Sequence, residues 1–285
     1  MLTLGLNNKP KLSNEIFAQI SGLIYSRCGI FFAAAKKYLL EARLQKRLEE
    51  RNLKTFEDYY YYLTYDPERE KEMARLLNTI VTNETSFFRD SMQINSFRKG
   101  VMPQILTEKE KAGSRNIRLW SAACSTGEEP YTLAILFLED GLLSRGYSME
   151  VMASDLSDNV LKSAQAGVYE KYSLRNTPEA YLAKYFQNSA ETYAINKRVQ
   201  ELVKYKKINL YNALETGMVR SVDVIFCRNV LIYFDDASKK KVLGHLYDSL
   251  CKGGYLYVGF SESLHDVTRL FRPLSIERTV VYQKV

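Results

Sequence analysis

The stretch Ile117-Arg118-Leu119-Trp120-Ser121-Ala122-Ala123-Cys124-Ser125-Thr126-Gly127-Glu128-Glu129-Pro130-Tyr131 decides how this chain folds. It opens as an apolar β-type run, passes five consecutive small residues from Ser121 to Ser125, and enters a helical pattern over Tyr131–Glu139. Strand, tight loop and helix in that order are the first half of a βαβ unit. The alternation continues downstream. Strand-like runs fall at Ile117–Ala123, Glu150–Ser154, Val203–Leu210, Val222–Cys227, Gly254–Phe260 and Thr279–Lys284, with helical stretches between them. This spacing predicts an α/β fold with a mainly parallel sheet. One gap is too long for a single helix: Val160–Ala166 supplies one, and Gly167 to Val203 is left over. There Thr192–Ile195 and Val199–Val203 read as short strands about a polar turn at Asn196–Arg198. A small antiparallel β lobe is therefore expected over 168–205.

Before residue 115 nothing alternates in this way. Ile16, Ile20, Leu23 and Ile24 recur at helical spacing, with Gly29 as a stop. Leu40, Leu44 and Leu48 continue the pattern on a run from Ala33 to Arg51. Thr55 is a good N-cap for a third helix with Phe56, Tyr59, Tyr60 and Leu63 on one face. The run Tyr59–Tyr62 is expected to pack with its hydroxyls at the surface. The predicted organisation is an all-α N-terminal domain over 1–80, a linker with a helix near Met92–Leu106 over 81–113, and an α/β domain over 114–285.

Composition narrows the function. The 285 residues are 46% hydrophobic and 26% charged, an ordinary globular balance. Met1–Ser13 lacks the apolar core of a signal peptide, and no run nears the roughly 20 apolar residues of a membrane span. A cytoplasmic protein, not inserted in a membrane, is expected. Four dispersed cysteines and two histidines argue against a metal site and disulfide stapling. The net charge of +7 favours an acidic partner.

In an open parallel sheet, ligands bind beyond the carboxyl ends of the strands. After the first strand, the small residues around Ala123 let a ligand approach the backbone. Glu128 and Glu129 at the helix start would repel a pyrophosphate and suit an ammonium group. The bland alternative is a capping box, Ser125 with Glu128 or Thr126 with Glu129. The second strand ends at Ala153-Ser154-Asp155, where an acid commonly accepts from ribose hydroxyls. Asp155 could instead start a turn ahead of a cap at Ser157 or Asp158. A small-residue loop beside such an acid suggests an adenosyl ligand without phosphates, as in S-adenosylmethionine. The fourth strand runs into Phe226-Cys227-Arg228-Asn229-Val230-Leu231-Ile232-Tyr233-Phe234, polar residues inside an apolar run. The Asn/Asp-Pro-Pro-Tyr/Phe clamp of adenine methyltransferases is missing, and Cys227 reads as a buried thiol.

Asn83-Glu84-Thr85-Ser86-Phe87-Phe88-Arg89, Trp120–Tyr131, Ala153–Asp155 and Phe226–Phe234, in this order, resemble the chemotaxis receptor methyltransferases of the CheR type. The resemblance spans nearly the whole chain. It implies a Rossmann-like class I S-adenosylmethionine methyltransferase domain with a small antiparallel β insertion, preceded by an all-α N-terminal domain. It also implies O-methylation of glutamates on chemoreceptor signalling helices, with S-adenosylhomocysteine as the other product. By motif, Asn83, Thr85 and Arg89 would reach the cofactor, with Ala123 in its loop, Glu129 on the methionine ammonium and Asp155 on the ribose. Asn209 and Leu210 would flank the adenine, Asn229 and Val230 would line the remaining wall, and Tyr233 would lie near the reacting groups with Arg89. By the same analogy Arg43 would reach toward the active site.

A glutamate acceptor has a pKa of about 4.3, so at neutral pH it is already the nucleophile and needs no base. Residues 36–54 carry seven Lys or Arg and three Glu. At about 100° per residue, Lys36, Arg43, Arg47 and Lys54 fall in an arc of roughly 40°. Such a stripe could steer an acidic receptor helix, or be a plain solvated face. Some members hold a receptor's C-terminal peptide by adding a strand to the lobe. No glycine occurs between Gly167 and Gly217, so that tether is not expected here. Two rivals stand beside this reading: an RNA methyltransferase, motivated by the basic charge, and an adaptor that senses the cofactor without turnover.

Overall fold

The computed structural model describes residues 10–81 and 83–285. Residues 1–9 and 82 lie outside that description, and with them most of Met1–Ser13, where the absence of a signal peptide is expected. The chain divides into two compact units, Met1–Val81 and Thr82–Val285.

The first unit is helical among its described residues: α1 (Asn14–Cys28), α2 (Lys37–Arg51) behind a 3-10 turn at Ala34–Lys36, α3 (Phe56–Tyr65) and α4 (Arg69–Ile80). Ser13 Oγ accepts from the Ile16 amide, Gly29 ends α1 at φ 73°, and Thr55 caps α3 by accepting from Asp58 N. Ile20, Ile24, Leu40, Leu44, Leu48, Phe56 and Leu63 are buried.

The basic stripe does not form as expected. Lys36 and Lys54 fall outside the α-helix of Lys37–Arg51, so the 100° spacing does not carry through them. Arg47 is buried. Its Nε and Nη2 donate to the two oxygens of Glu72 at 2.8 and 2.9 Å, and it also pairs with Glu50. Glu72 is fully buried and accepts a third bond from the Tyr59 hydroxyl at 2.9 Å. That hydroxyl is inside rather than at the surface, and burial, reinforced by the adjacent Glu72, pushes its pKa up.

In the second unit, α5 (Ser91–Asn95), a π-helical turn (Ser96–Val101) and α6 (Met102–Lys111) run without a break. This is no free linker. Phe87, Phe97, Val101 and Ile105 belong to the same buried cluster as Leu119, Leu133 and Phe226. There follow β1 (Asn116–Ala122), α7 (Glu128–Glu139), β2 (Ser148–Asp155), α8 (Asp158–Ala166), β3 (Val168–Glu170), α9 (Glu179–Tyr185), β4 (Phe186–Ser189), β5 (Thr192–Ile195), α10 (Lys197–Gln200), β6 (Val203–Lys207), α11 (Ala213–Thr216), β7 (Val222–Cys227), α12 (Asp236–Ser249), β8 (Leu250–Val258), β9 (Phe271–Ile276) and β10 (Thr279–Lys284). The large sheet has the order β6-β2-β1-β7-β8-β10-β9, parallel from β6 to β8, with β10 antiparallel to both neighbours. The chain reverses its direction of winding between β1 and β7, which opens a crevice at their carboxyl ends. Every residue of β7 is buried, as a central parallel strand covered on both faces requires.

The inserted lobe is the sheet β3-β5-β4, a hairpin of β4 and β5 plus β3. Thr192–Ile195 is one of its strands. Val199–Val203 is not: Asn196 Oδ1 accepts from Arg198 N and starts the short helix α10 instead of a turn. The lobe ends before β6, which pairs with β2 in the large sheet. Strand β9 escapes sequence reading because Pro273 interrupts it, tolerated here because β9 is an edge strand.

Glu72→Ala strands the buried Arg47 guanidinium. The expected cost is about 3 kcal/mol in the unfolding of the N-terminal unit, read by urea titration.

Candidate functional site

The carboxyl ends of β1, β2, β6 and β7 and one preceding segment carry the candidate site. The loop after β1 turns sharply: Ala123 and Ser125 hold φ values of 65° and 50°, and Gly127 is at 94°. A Cβ on Gly127 would come within 2.6 Å of the Tyr205 hydroxyl and 2.9 Å of Ala164 Cβ. Only glycine fits there, by conformation and by space.

Neither capping box forms. Gly127 is the N-cap of α7 and lends no side-chain bond. Glu128 is buried, accepting from Thr126 Oγ1 at 2.7 Å and Ser173 Oγ at 3.1 Å, and burial raises its pKa. Glu129 points the other way. It accepts from Ser121 Oγ at 2.6 Å and from Arg228 Nη1 at 2.9 Å.

Asp155, at the end of β2, accepts from Ser125 N at 2.9 Å and from Ser157 N at 3.0 Å. It thus fastens the β1 loop, while Ser157 caps α8. Burial raises its pKa, opposed by these backbone N–H groups. Beyond β6, which stops at Lys207 rather than Leu210, Ile208 N donates to Asp155 O. Asn209 and Leu210 therefore lie in a loop beside Asp155. Asn209 Oδ1 accepts from Tyr211 N, and the Leu210 carbonyl meets His245 Nδ1 at 2.9 Å.

The segment 83–90 closes another side. Asn83 O accepts from Ser125 Oγ at 3.3 Å, Thr85 O meets Arg175 Nη1 at 3.5 Å, and Arg89 Nη1 donates to Glu84 O at 2.9 Å. Phe87 N donates to Ser173 O, and Phe88 N to Thr132 Oγ1.

Arg228, within the run Phe226–Phe234, has no role assigned from the sequence. The structure makes it the centre of the site. Its guanidinium, 4% exposed, donates from Nε to Gln93 Oε1 at 2.6 Å, from Nη1 to Glu129, and from Nη2 to Arg89 O at 3.1 Å and Asp90 Oδ2 at 2.6 Å. The signal was a charged residue directly after an all-apolar strand end. Asn229, Val230 and Tyr233 follow it, with Tyr233 N bonded to Val230 O. Cys227 is fully buried, and burial pushes its thiol well above the usual range. Arg43 belongs to the first unit, where its Nη1 donates to Ile80 O.

The donor set fits a cation with hydroxyls better than a phosphate. Each oxygen of Glu129 and Asp155 takes one of the bonds above, and an ionised carboxylate has about four acceptor positions. Among the described residues no group of His, Cys, Asp or Glu could hold a metal ion. No helix among them is long and apolar enough to cross a membrane.

Comparison with known proteins identifies the family. Residues 83–280 match the model of the CheR methyltransferase, SAM binding domain, and residues 15–81 that of the CheR methyltransferase, all-alpha domain. Chemotaxis protein methyltransferase 2 of Vibrio cholerae is 32% identical over 97% of this chain and 95% of its own length. The chemotaxis protein methyltransferase of Klebsiella aerogenes is 37% identical over 91% of this chain and 87% of its own. That of Borreliella burgdorferi is 30% identical over 90% and 91%.

Arg228→Met leaves Glu129 and Asp90 without their cation and is expected to cost about 3–5 kcal/mol of stability. Arg228→Met with Glu129→Gln is expected to lose less than the sum of the single changes in denaturant titrations.

Proposed function

The chain belongs to the CheR methyltransferase family, and from that premise we propose that it methylates glutamate side chains on the cytoplasmic signalling helices of chemoreceptors. The carrying observation is the pair of carboxylates, Glu129 in the first turn of α7 and Asp155 at the end of β2, set beside the small-residue loop that follows β1. S-adenosylmethionine, when bound, supplies a methyl group on a sulfonium, whose departure leaves the neutral thioether of S-adenosylhomocysteine.

The chain's own residues bind and align. Glu129, oriented by Ser121 and Arg228, keeps acceptor positions for the methionine ammonium. Asp155 keeps them for the ribose, Asn209 and Leu210 flank the adenine, and Asn229 and Val230 form the facing wall. Asn83, Thr85 and Arg89 approach from their own segment, with Ala123 beneath. Tyr233 and Arg89 are assigned to the acceptor side. The receptor glutamate arrives ionised, so no proton needs to be removed, and alignment can supply up to roughly 7–11 kcal/mol. Arg43 is assigned to the acidic receptor helix. Arg47 is withdrawn from that role because it neutralises Glu72.

Labelled methyl is expected to pass from S-adenosylmethionine to receptor cytoplasmic fragments and to leave as methanol in mild base. Base-stable label on tRNA, run in parallel, would overturn the proposal. Glu129→Ala and Asp155→Ala are expected to weaken S-adenosylhomocysteine binding about tenfold or more in calorimetry, the scale of one hydrogen bond to a charged group. Arg43→Glu is expected to slow receptor methylation at low salt with cofactor affinity unchanged; equal rates at every salt concentration would end its docking role.

Because its pKa is raised, Asp155 takes up a proton at a higher pH than an ordinary aspartate. S-adenosylhomocysteine affinity is therefore expected to fall on acidification while exposed aspartates are still ionised, and Asp155→Asn to flatten that part of the profile. An unchanged profile in the variant would assign the titration elsewhere.

A further inference from the structure

Glu262 lies outside every motif that marks the site, in the turn Gly259-Phe260-Ser261-Glu262 after β8. Its carboxylate makes only backbone contacts among its hydrogen bonds. Oε2 accepts from Gly259 N at 2.5 Å and Asn229 N at 3.0 Å, and Oε1 accepts from Ile232 N at 3.2 Å. Two of these amides belong to the segment 229–233, where β7 has ended and a 3-10 turn over Leu231–Tyr233 begins. Asn229 is left-handed there, at φ 58°. The space is closed from the other side as well. A Cβ on Gly259 would lie 2.7 Å from Glu262 Oε2 and 2.9 Å from both the backbone and side-chain nitrogens of Asn229.

We propose that Glu262 is a positioning residue for methyl transfer, holding Asn229, Val230 and Tyr233 in the conformation that receives the cofactor. This rests on the assignment of that segment to the cofactor wall. The physical argument is one of donor counting. The end of a parallel strand leaves amides that no neighbouring strand accepts, and a left-handed asparagine does not hold its conformation unaided. An ionised carboxylate can accept from several N–H groups at once, through charge-assisted bonds. A glutamine cannot take its place. It offers a single acceptor oxygen, and its NH2 group would face an amide that also needs an acceptor. Glycine at 259 follows from the same arrangement, since any side chain would push between Glu262 and Asn229.

The experiment measures S-adenosylhomocysteine binding by calorimetry on the full chain, with thermal melts alongside. Glu262→Gln is expected to raise Kd about tenfold or more at a temperature where the variant remains folded, the scale of losing one charge-assisted hydrogen bond. Gly259→Ala, which keeps the carboxylate but intrudes on the cradle, is expected to raise Kd as well and supplies the test should Glu262→Gln not fold. Glu262→Asp, keeping the charge on a shorter stem, is expected to recover part of the loss. A lowered melting temperature with wild-type Kd in both Glu262→Gln and Gly259→Ala would overturn the proposal and leave Glu262 a purely structural residue. Failure of the wild-type chain to bind S-adenosylhomocysteine would instead overturn the cofactor assignment itself.

Discussion

A guanidinium cannot shed its charge inside a protein, so a buried arginine dictates what surrounds it. Arg228 sits at the carboxyl end of the central strand and takes acceptors from three places: Glu129 on α7, Gln93 on α5, and the carbonyl of Arg89 with the carboxylate of Asp90 just before α5. Displacing any one of them would leave a buried donor unmet. The packing of the segment before α5 against the strand ends follows from this. The segment 83–95 cannot behave as a linker, because its backbone and side chains satisfy the cation that also orients Glu129. Gln93 adds a second tie, donating from Nε2 to the Val258 carbonyl at the end of β8.

The backbone around the site carries a second regularity. Phe88, Asp90, Ala123, Ser125 and Asn229 are all left-handed without being glycine. Residues in such regions cost of order 1–3 kcal/mol each and persist only where their surroundings hold them. Three of the five have an amide captured by a side-chain oxygen from another element: Phe88 N by Thr132, Ser125 N by Asp155, and Asn229 N by Glu262. Strained turns pinned in this way bring backbone close to the crevice and hold it there. Asp155 therefore has two jobs. Its oxygens fasten Ser125 and Ser157, and the proposal gives the acceptor positions left over to the ribose.

How much of this was legible in the sequence depends on range. Local signals read correctly: Gly29 and Thr55 mark helix ends, and the run Val222–Cys227, apolar but for Asp223, marks a strand that the structure places at the centre of the sheet. Boundaries failed where tertiary pairing decides them. β8 begins at Leu250, before Gly253 and Gly254, because a register shift against β7 absorbs the glycines that read as a strand start. β6 ends at Lys207 although the apolar pattern continues to Leu210. The basic stripe failed for a related reason. Helical spacing places charges on a face, but it does not reveal that Glu72, 25 residues beyond Arg47, is buried and needs a cation. Arg228, Gln93 and Glu262 escaped because each acts through partners that, Gly259 apart, lie 30 to 165 residues away.

The chemistry assigned to the site explains why so much of its architecture is fixation. A carboxylate acceptor needs no base, and the hydrogen bonds of the two histidine rings reach no residue assigned to the acceptor side. His245 is engaged with the Leu210 carbonyl, and exposed His265 pairs with Asp266. Without a proton to move, the barrier can be lowered chiefly by holding acceptor, methyl and sulfonium in line, and that advantage is lost with small displacements. Side chains on flexible loops would not hold such a line. A wall made of backbone can, provided its amides are tied to carboxylates and hydroxyls that are themselves fixed by strands and helices. Asp155 on β2 and Thr132 on α7 meet that requirement, and Glu262 meets it from the turn after β8, where the Gly259 amide holds its carboxylate. The invariable charge of Arg228 keeps Glu129 in register with them.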